Sequence, residues 1–90
     1  MIAVPTLFSG GNGETAKSAV VINASRSAVG VAAEYRYVEQ VCGKRDVDWT
    51  LEMQMQTTEE EEEYDVVTVN LTKGGSRTFW FDITAFFGKF

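Results

Sequence analysis

The stretch that decides the fold is residues 47–56, which read Val-Asp-Trp-Thr-Leu-Glu-Met-Gln-Met-Gln. Apolar and polar side chains alternate along it, as in a strand with one face in a core and the other in water. Two further strand-like runs follow at residues 64–71 and 77–83, and the connection between them contains Gly74-Gly75, which suits a tight hairpin. The three runs predict a three-stranded antiparallel meander.

A helix is predicted upstream of the meander, from about Arg26 to Cys42, and Gly43 is a natural stop. Steps of about 100° per residue place its apolar side chains in two stripes on opposite sides. The first stripe contains Ala28, Val31, Tyr35, Val38 and Cys42, and the second contains Val29, Ala33, Tyr37 and Val41. Either the N-terminal segment covers the second stripe, or this stripe faces another subunit.

The remaining segments complete an α+β prediction. A β-branched run in residues 18–24 predicts a buried strand, and residues 2–8, interrupted by Pro5, predict an edge strand or an ordered tail. Residues 84–87 predict a short C-terminal helix. The predicted fold is therefore an antiparallel sheet of about four strands packed against one main helix, plus a short C-terminal helix.

The length of 90 residues predicts a single domain. It divides into an N-terminal strand or tail with a glycine-rich loop (1–17), a strand and the main helix (18–43), and the meander with its terminal helix (46–90). The N-terminus lacks a basic region followed by an apolar run, and no apolar run reaches membrane-spanning length. These features predict a cytoplasmic protein without a membrane partner.

An acidic run, Glu59–Glu63, separates the first two meander strands and is predicted to be a mobile, solvated hairpin loop spanning residues 57–63. The formal net charge is −5, and the basic residues are scattered, which argues against nucleic acid as a partner. A basic protein would complement the acidic loop.

Catalysis and cofactor binding have little support in the composition. The chain has no His and a single Cys, Cys42, which removes the commonest general base and metal ligand and excludes an intramolecular disulfide. Glu34 and Glu39 are interpreted as surface charges on the helix, and Asp82 as a helix cap, so no pair of carboxylates stands out. We therefore expect no enzyme activity, no cofactor and no metal site.

The functional prediction is a small acidic protein-binding domain, an adaptor or an inhibitor, that acts through its surface. If Phe79 and Phe81 point into the core, Trp80 points away from it, where an aromatic side chain favours an interface. A homodimer or another protein partner is expected. The candidate contact residues are Trp80, Val29, Ala33, Tyr37, Glu60, Glu61 and Glu62. The alternative is a small-molecule-binding module that uses the concavity between helix and sheet near Tyr35, Tyr37 and Trp49.

Overall fold

The computed structural model describes residues 7–89, which form a five-stranded sheet with one helix packed on one face. The elements in chain order are β1 (Phe8–Gly10), β2 (Val20–Ile22), α1 (Ser27–Cys42), β3 (Trp49–Glu59), β4 (Glu62–Leu71) and β5 (Ser76–Asp82). Across the sheet the strands lie in the order β1-β2-β5-β4-β3. β2 runs parallel to β5, and the other neighbours are antiparallel.

The predicted meander and main helix are confirmed, and the sheet is larger than predicted. Five strands replace the expected four or so, and the sheet is mixed because β2 lies beside β5 in the same direction. The apolar run in residues 18–24 indicates a strand but carries no information about its neighbour. Val20 lies beside Phe81, and both side chains are buried in the core.

The predicted C-terminal helix is absent from the described residues. Residues 84–88 form turns instead, in which the N–H groups of Phe86 and Phe87 both donate to the carbonyl of Ile83. These turns close one end of α1, because the Lys89 carbonyl accepts a 2.6 Å hydrogen bond from the N–H of Ser27. The predicted N-terminal edge strand lies mostly outside the described residues, and β1 begins at Phe8.

A β-bulge interrupts β3 at Glu52. Leu51 lies opposite Val69 on β4, and Met53 lies opposite Thr68, so Glu52 has no partner of its own in the ladder. An extra residue in one strand shifts the alternation of side chains by one position. Before the bulge the odd-numbered side chains of β3 face the helix, and beyond the bulge the even-numbered side chains do.

The prediction that apolar residues 47–56 share one face is wrong beyond the bulge. Trp49 is fully buried on the helix side, whereas Met53 and Met55 lie on the other side of the sheet and are 51% and 48% exposed. Gln54 takes the helix-facing place opposite Val67.

α1 has one buried face rather than two stripes. Its buried residues are Gly30, Ala33, Glu34 and Val38. At about 100° per residue this face lies between the two predicted stripes. The prediction missed it because the residue at its centre is a glutamate, and the stripes were drawn from apolar residues alone. Gly30 allows a close approach at the start of the helix, since a Cβ there would overlap the ring of Phe86.

The acidic run forms a tight hairpin, and the predicted mobile loop over residues 57–63 is wrong. β3 and β4 remain paired as far as Glu59 and Glu62, which leaves a two-residue turn of Glu60 and Glu61. Both turn residues have positive φ, 49° and 67°, as in a type I′ turn. Next to the turn, Thr58 Oγ1 donates to Glu63 Oε2 at 2.8 Å, so the ladder continues through the residues expected to be loop.

Candidate functional site

The sheet face opposite α1 carries a group of apolar side chains. Met55 lies beside Val66 on β4, and Val66 lies beside Trp80 on β5. The rings of Tyr64 and Trp80 meet edge to face with their centroids 5.7 Å apart. We call this surface the open face and define it by Met53, Met55, Tyr64, Val66 and Trp80.

Exposure on the open face is concentrated at one edge. Met53 and Met55 each expose about half of their surface, whereas Val66 and Tyr64 are largely shielded by their neighbours. Single exposed apolar residues are ordinary, but neighbouring ones beside an aromatic pair form a patch typical of binding surfaces. Methionine suits such a surface because its side chain is flexible and polarizable.

A groove of about 660 Å³ adjoins the open face at Tyr64. It lies between the loop that contains residues 16–19 and the hairpin at the end of β3 and β4, with Tyr64 and Asp82 on the sheet beneath it. Its charged lining consists of four carboxylates and one ammonium, from Glu59, Glu60, Glu62, Asp82 and Lys17. The groove therefore has a negative potential that favours a cationic ligand.

Tyr64 places a neutral hydroxyl in this groove. Its side chain is 9% exposed, and the hydroxyl makes no hydrogen bond with the residues that the structure describes. Burial, followed by the negative charges of Asp82 and Glu62, raises the pKa of the phenol above its ordinary value. The hydroxyl thus stays protonated at neutral pH and can both donate and accept.

Thr84 fixes two of the carboxylates. Its backbone N–H donates to Asp82 Oδ1 at 3.0 Å, and its hydroxyl donates to Glu62 Oε2 at 2.7 Å. The N–H of Glu63 donates to the Thr84 hydroxyl oxygen at 3.0 Å, which orients that hydroxyl. Asp82 and Glu62 each keep a second oxygen without a partner among the described residues.

The structure distributes the predicted contact residues over three places. Trp80 lies half-buried on the open face, and Glu62 lines the groove next to it. Glu60 and Glu61 are exposed at the hairpin turn. Val29 is 53% exposed on α1, in the other layer of the fold.

Two further predicted contacts, Ala33 and Tyr37, pack inside the chain. Ala33 is buried, and the ring of Tyr37 meets Phe8, Phe79 and Phe81 edge to face at centroid distances of 5.3, 6.1 and 5.8 Å. Two residues of the second helix stripe thus contribute to the core, whereas its other two, Val29 and Val41, are 53% and 41% exposed. The homodimer stays a prediction, and the edges of the sheet among the described strands are β1, which pairs with β2, and β3, which pairs with β4.

Aromatic rings occupy the concavity between helix and sheet, where the alternative functional prediction placed a small-molecule ligand. The ring of Tyr35 stacks on Trp49 at 6.5 Å, and the guanidinium of Arg45 lies 5.0 Å from the centre of the Tyr35 ring. The indole N–H of Trp49 donates to the Gly43 carbonyl at 2.8 Å. A ligand there would have to displace these contacts, and the small-molecule alternative stays a prediction.

A second polar site, Glu34 and Asp65, lies buried between α1 and the sheet. Both oxygens of Glu34 and Oδ1 of Asp65 are enclosed and meet no N–H or O–H donor among the described residues. Burial, together with hydrogen bonding to Asp65 and its charge, raises the pKa of Glu34 to about 10. Glu34 is therefore protonated at neutral pH, and its proton supplies the donor that two facing carboxylates would lack.

The other oxygen of Asp65 belongs to a chain of hydrogen bonds that begins at the protein surface. Gln54 Nε2 donates to Asp65 Oδ2 at 2.6 Å, and the Tyr35 hydroxyl donates to Gln54 Oε1. Gln54 can reach Asp65 because the bulge at Glu52 turns it toward the helix side. Both acids of the pair are buried and shielded from solvent.

The interpretation of Glu34 as a surface charge is wrong, and the sequence held one clue to the pair. Asp65 shares its side of β4 with Val67 and Val69, which are both fully buried. An acid on the more apolar side of a central strand needs a buried partner. Nothing in the helix pattern identified Glu34 as that partner.

The remaining candidate chemistry is limited. Among residues 7–89, no group of three or more His, Cys, Asp or Glu side chains is placed to hold a metal ion. Burial raises the pKa of the Cys42 thiol, which disfavours the reactive thiolate. No helix in the described part of the chain is long and apolar enough to cross a membrane.

Comparisons with protein-family models, with curated proteins and with solved structures give no match to this chain.

Proposed function

We propose that this protein is a binding domain that docks a basic segment of a protein partner on the open face. The observation that carries the proposal is the position of Met53 and Met55, which are half exposed on the same face as Trp80 and next to an acidic groove. An adaptor and an inhibitor would both bind through this surface. The protein would act as an inhibitor if the partner's basic segment belongs to an enzyme.

The apolar part of the open face supplies contact area. Interfaces are enriched in methionine and aromatic residues at their centre and in polar residues at their rim. Met55, Val66 and Trp80 form one row across three strands, which gives a continuous apolar surface. A partner segment lying along this row would cover the exposed methionine surface.

The charged part of the surface selects the partner. The five glutamates of residues 59–63 lie at the end of the open face, and the whole chain has a formal net charge of −5. A positive partner is steered toward such a surface, and a negative one is repelled. Charge complementarity therefore favours a lysine- or arginine-containing segment.

A peptide selection tests the proposal directly. The immobilised protein is presented with a phage library of random dodecapeptides, and enriched sequences are measured for binding to the wild type and to Met55→Glu. We expect enrichment of arginine and lysine, and a loss of affinity of about tenfold or more in Met55→Glu.

Val29→Glu is the matched control, because it introduces the same charge at an equally exposed apolar residue in the other layer of the fold. It should bind the selected peptides as the wild type does. The proposal is wrong if the library yields no binders, or if the selected peptides bind Met55→Glu with the same affinity as the wild type.

A further inference from the structure

We infer that the groove beside Tyr64 receives an arginine side chain of the partner. This inference rests on the proposed function, since it names the residue that the basic segment would insert. Three observations support it: two carboxylates held in place, a largely buried tyrosine whose hydroxyl has no partner among the described residues, and the aromatic ring of that tyrosine in the groove lining.

The carboxylates match what a guanidinium needs. Asp82 on β5 and Glu62 on β4 are both held by Thr84, and each retains one oxygen without a partner among the described residues. A guanidinium presents several N–H groups in one plane and can donate to two carboxylates at once. Because the acceptors are already positioned, binding orders few side chains and loses little entropy.

Tyr64 gives an independent indication of a ligand. The Tyr64 residue is only 9% exposed, and its hydroxyl has no hydrogen-bond partner among the described residues. It lies in the groove lining, so a group that enters the groove can supply the missing partner. The ring of Tyr64, which also lines the groove, adds an aromatic surface with which a planar cation can interact.

Lys17 allows a test that distinguishes this groove from a simple acidic patch. Its ammonium lines the groove together with the carboxylates, so it raises the local potential and opposes a bound cation. Removing it should strengthen arginine binding, whereas removing Asp82 or Glu62 should weaken it.

The test uses the blocked tripeptide N-acetyl-Ala-Arg-Ala-amide as the probe, and ¹⁵N NMR titration as the measurement. Matched peptides with lysine or with the neutral isostere citrulline in place of arginine are the controls. We expect the arginine peptide to shift the Trp80 indole and Thr84 amide signals. The Trp49 indole, which is bonded to Gly43 on the helix side, should not move.

The variants identify the groups involved. Asp82→Asn and Glu62→Gln keep an oxygen that can accept from Thr84, so each should preserve the hairpin while weakening the arginine peptide about tenfold. Lys17→Ala should bind it several-fold more tightly. The inference is overturned if the lysine or citrulline peptide binds as well as the arginine peptide, or if both carboxylate variants bind it unchanged.

The two proposals fail in different ways. The arginine site requires no contact with the methionines, so Met55→Ala, which adds no charge near the groove, should leave tripeptide binding unchanged. Selected dodecapeptides that require Met55 but tolerate Asp82→Asn would refute the arginine site and leave the proposed function standing. If the tripeptide binds in the groove but the selected dodecapeptides bind Met55→Glu as tightly as the wild type, the proposed function is refuted and the arginine site stands.

Discussion

Burial between α1 and the sheet raises the pKa of Glu34 to about 10, from an ordinary value of 4.5. Between these two pH values the folded protein holds a proton that the unfolded chain releases. The stabilisation is therefore complete below pH 4.5 and is lost as the pH rises toward 10. We therefore expect Glu34 to make the free energy of unfolding depend on pH across the neutral range.

Glu34→Gln should remove this pH dependence, because the amide can still donate to Asp65 but does not ionise. In the wild type, the free energy of unfolding should fall by about 1 kcal/mol per pH unit between about pH 5 and about pH 8. Urea unfolding at several pH values measures the slope in both proteins.

Glu39→Gln is the control, since Glu39 is exposed on the same helix and receives the same chemical substitution. It should retain the wild-type slope. Equal slopes in the wild type and Glu34→Gln would show that Glu34 ionises in the folded protein as it does in the unfolded chain.

The β3–β4 hairpin carries conformational strain at the level of a single element. Glu60 and Glu61 both adopt left-handed backbone conformations, which residues with a Cβ avoid, and Glu59 lies directly opposite Glu62. A type I′ turn strongly prefers Asn-Gly. The chain therefore has glutamates at two positions where backbone preference favours other residues.

Replacing the turn residues by Asn-Gly, in the double variant Glu60→Asn and Glu61→Gly, should raise the free energy of unfolding by about 1 kcal/mol. The double variant Glu60→Gln and Glu61→Gln removes the same charges but keeps the backbone preferences. Thermal unfolding should rank the Asn-Gly protein above the Gln-Gln protein. Equal stability of the two would assign the effect to charge and contradict backbone strain.

The positions of the strands and of the helix were predictable from local sequence pattern. Which of their side chains face the core was not. Alternation identified β3, but the bulge at Glu52 has no sequence signal strong enough to reveal the shift that it causes. The helix ended at Gly43 as predicted, whereas its buried face was missed because Glu34 occupies the centre. Both errors arise where tertiary pairing overrides a local period.

At the scale of the whole molecule, alternation with Phe79 and Phe81 correctly predicted that Trp80 points away from the core. The register of β4 against β5 brings Tyr64 and Val66 to the same surface. The groove was beyond prediction, because the loop of residues 16–19 reaches it only through the pairing of β2 with β5. Strand order depends on contacts between distant parts of the chain, which a single sequence does not display.

The proposed function requires Met53 and Met55 to lie on the open face, and the methyl groups of these residues report their position directly. In protein labelled with ¹³C at the methionine methyls, we predict nuclear Overhauser effects from Met55 to Val66 and from Met53 to Thr68, with both methyls broadened by a soluble nitroxide. Effects from either methyl to Tyr35 or Val38 of α1, with protection from the nitroxide, would place the methionines in the core and contradict the account.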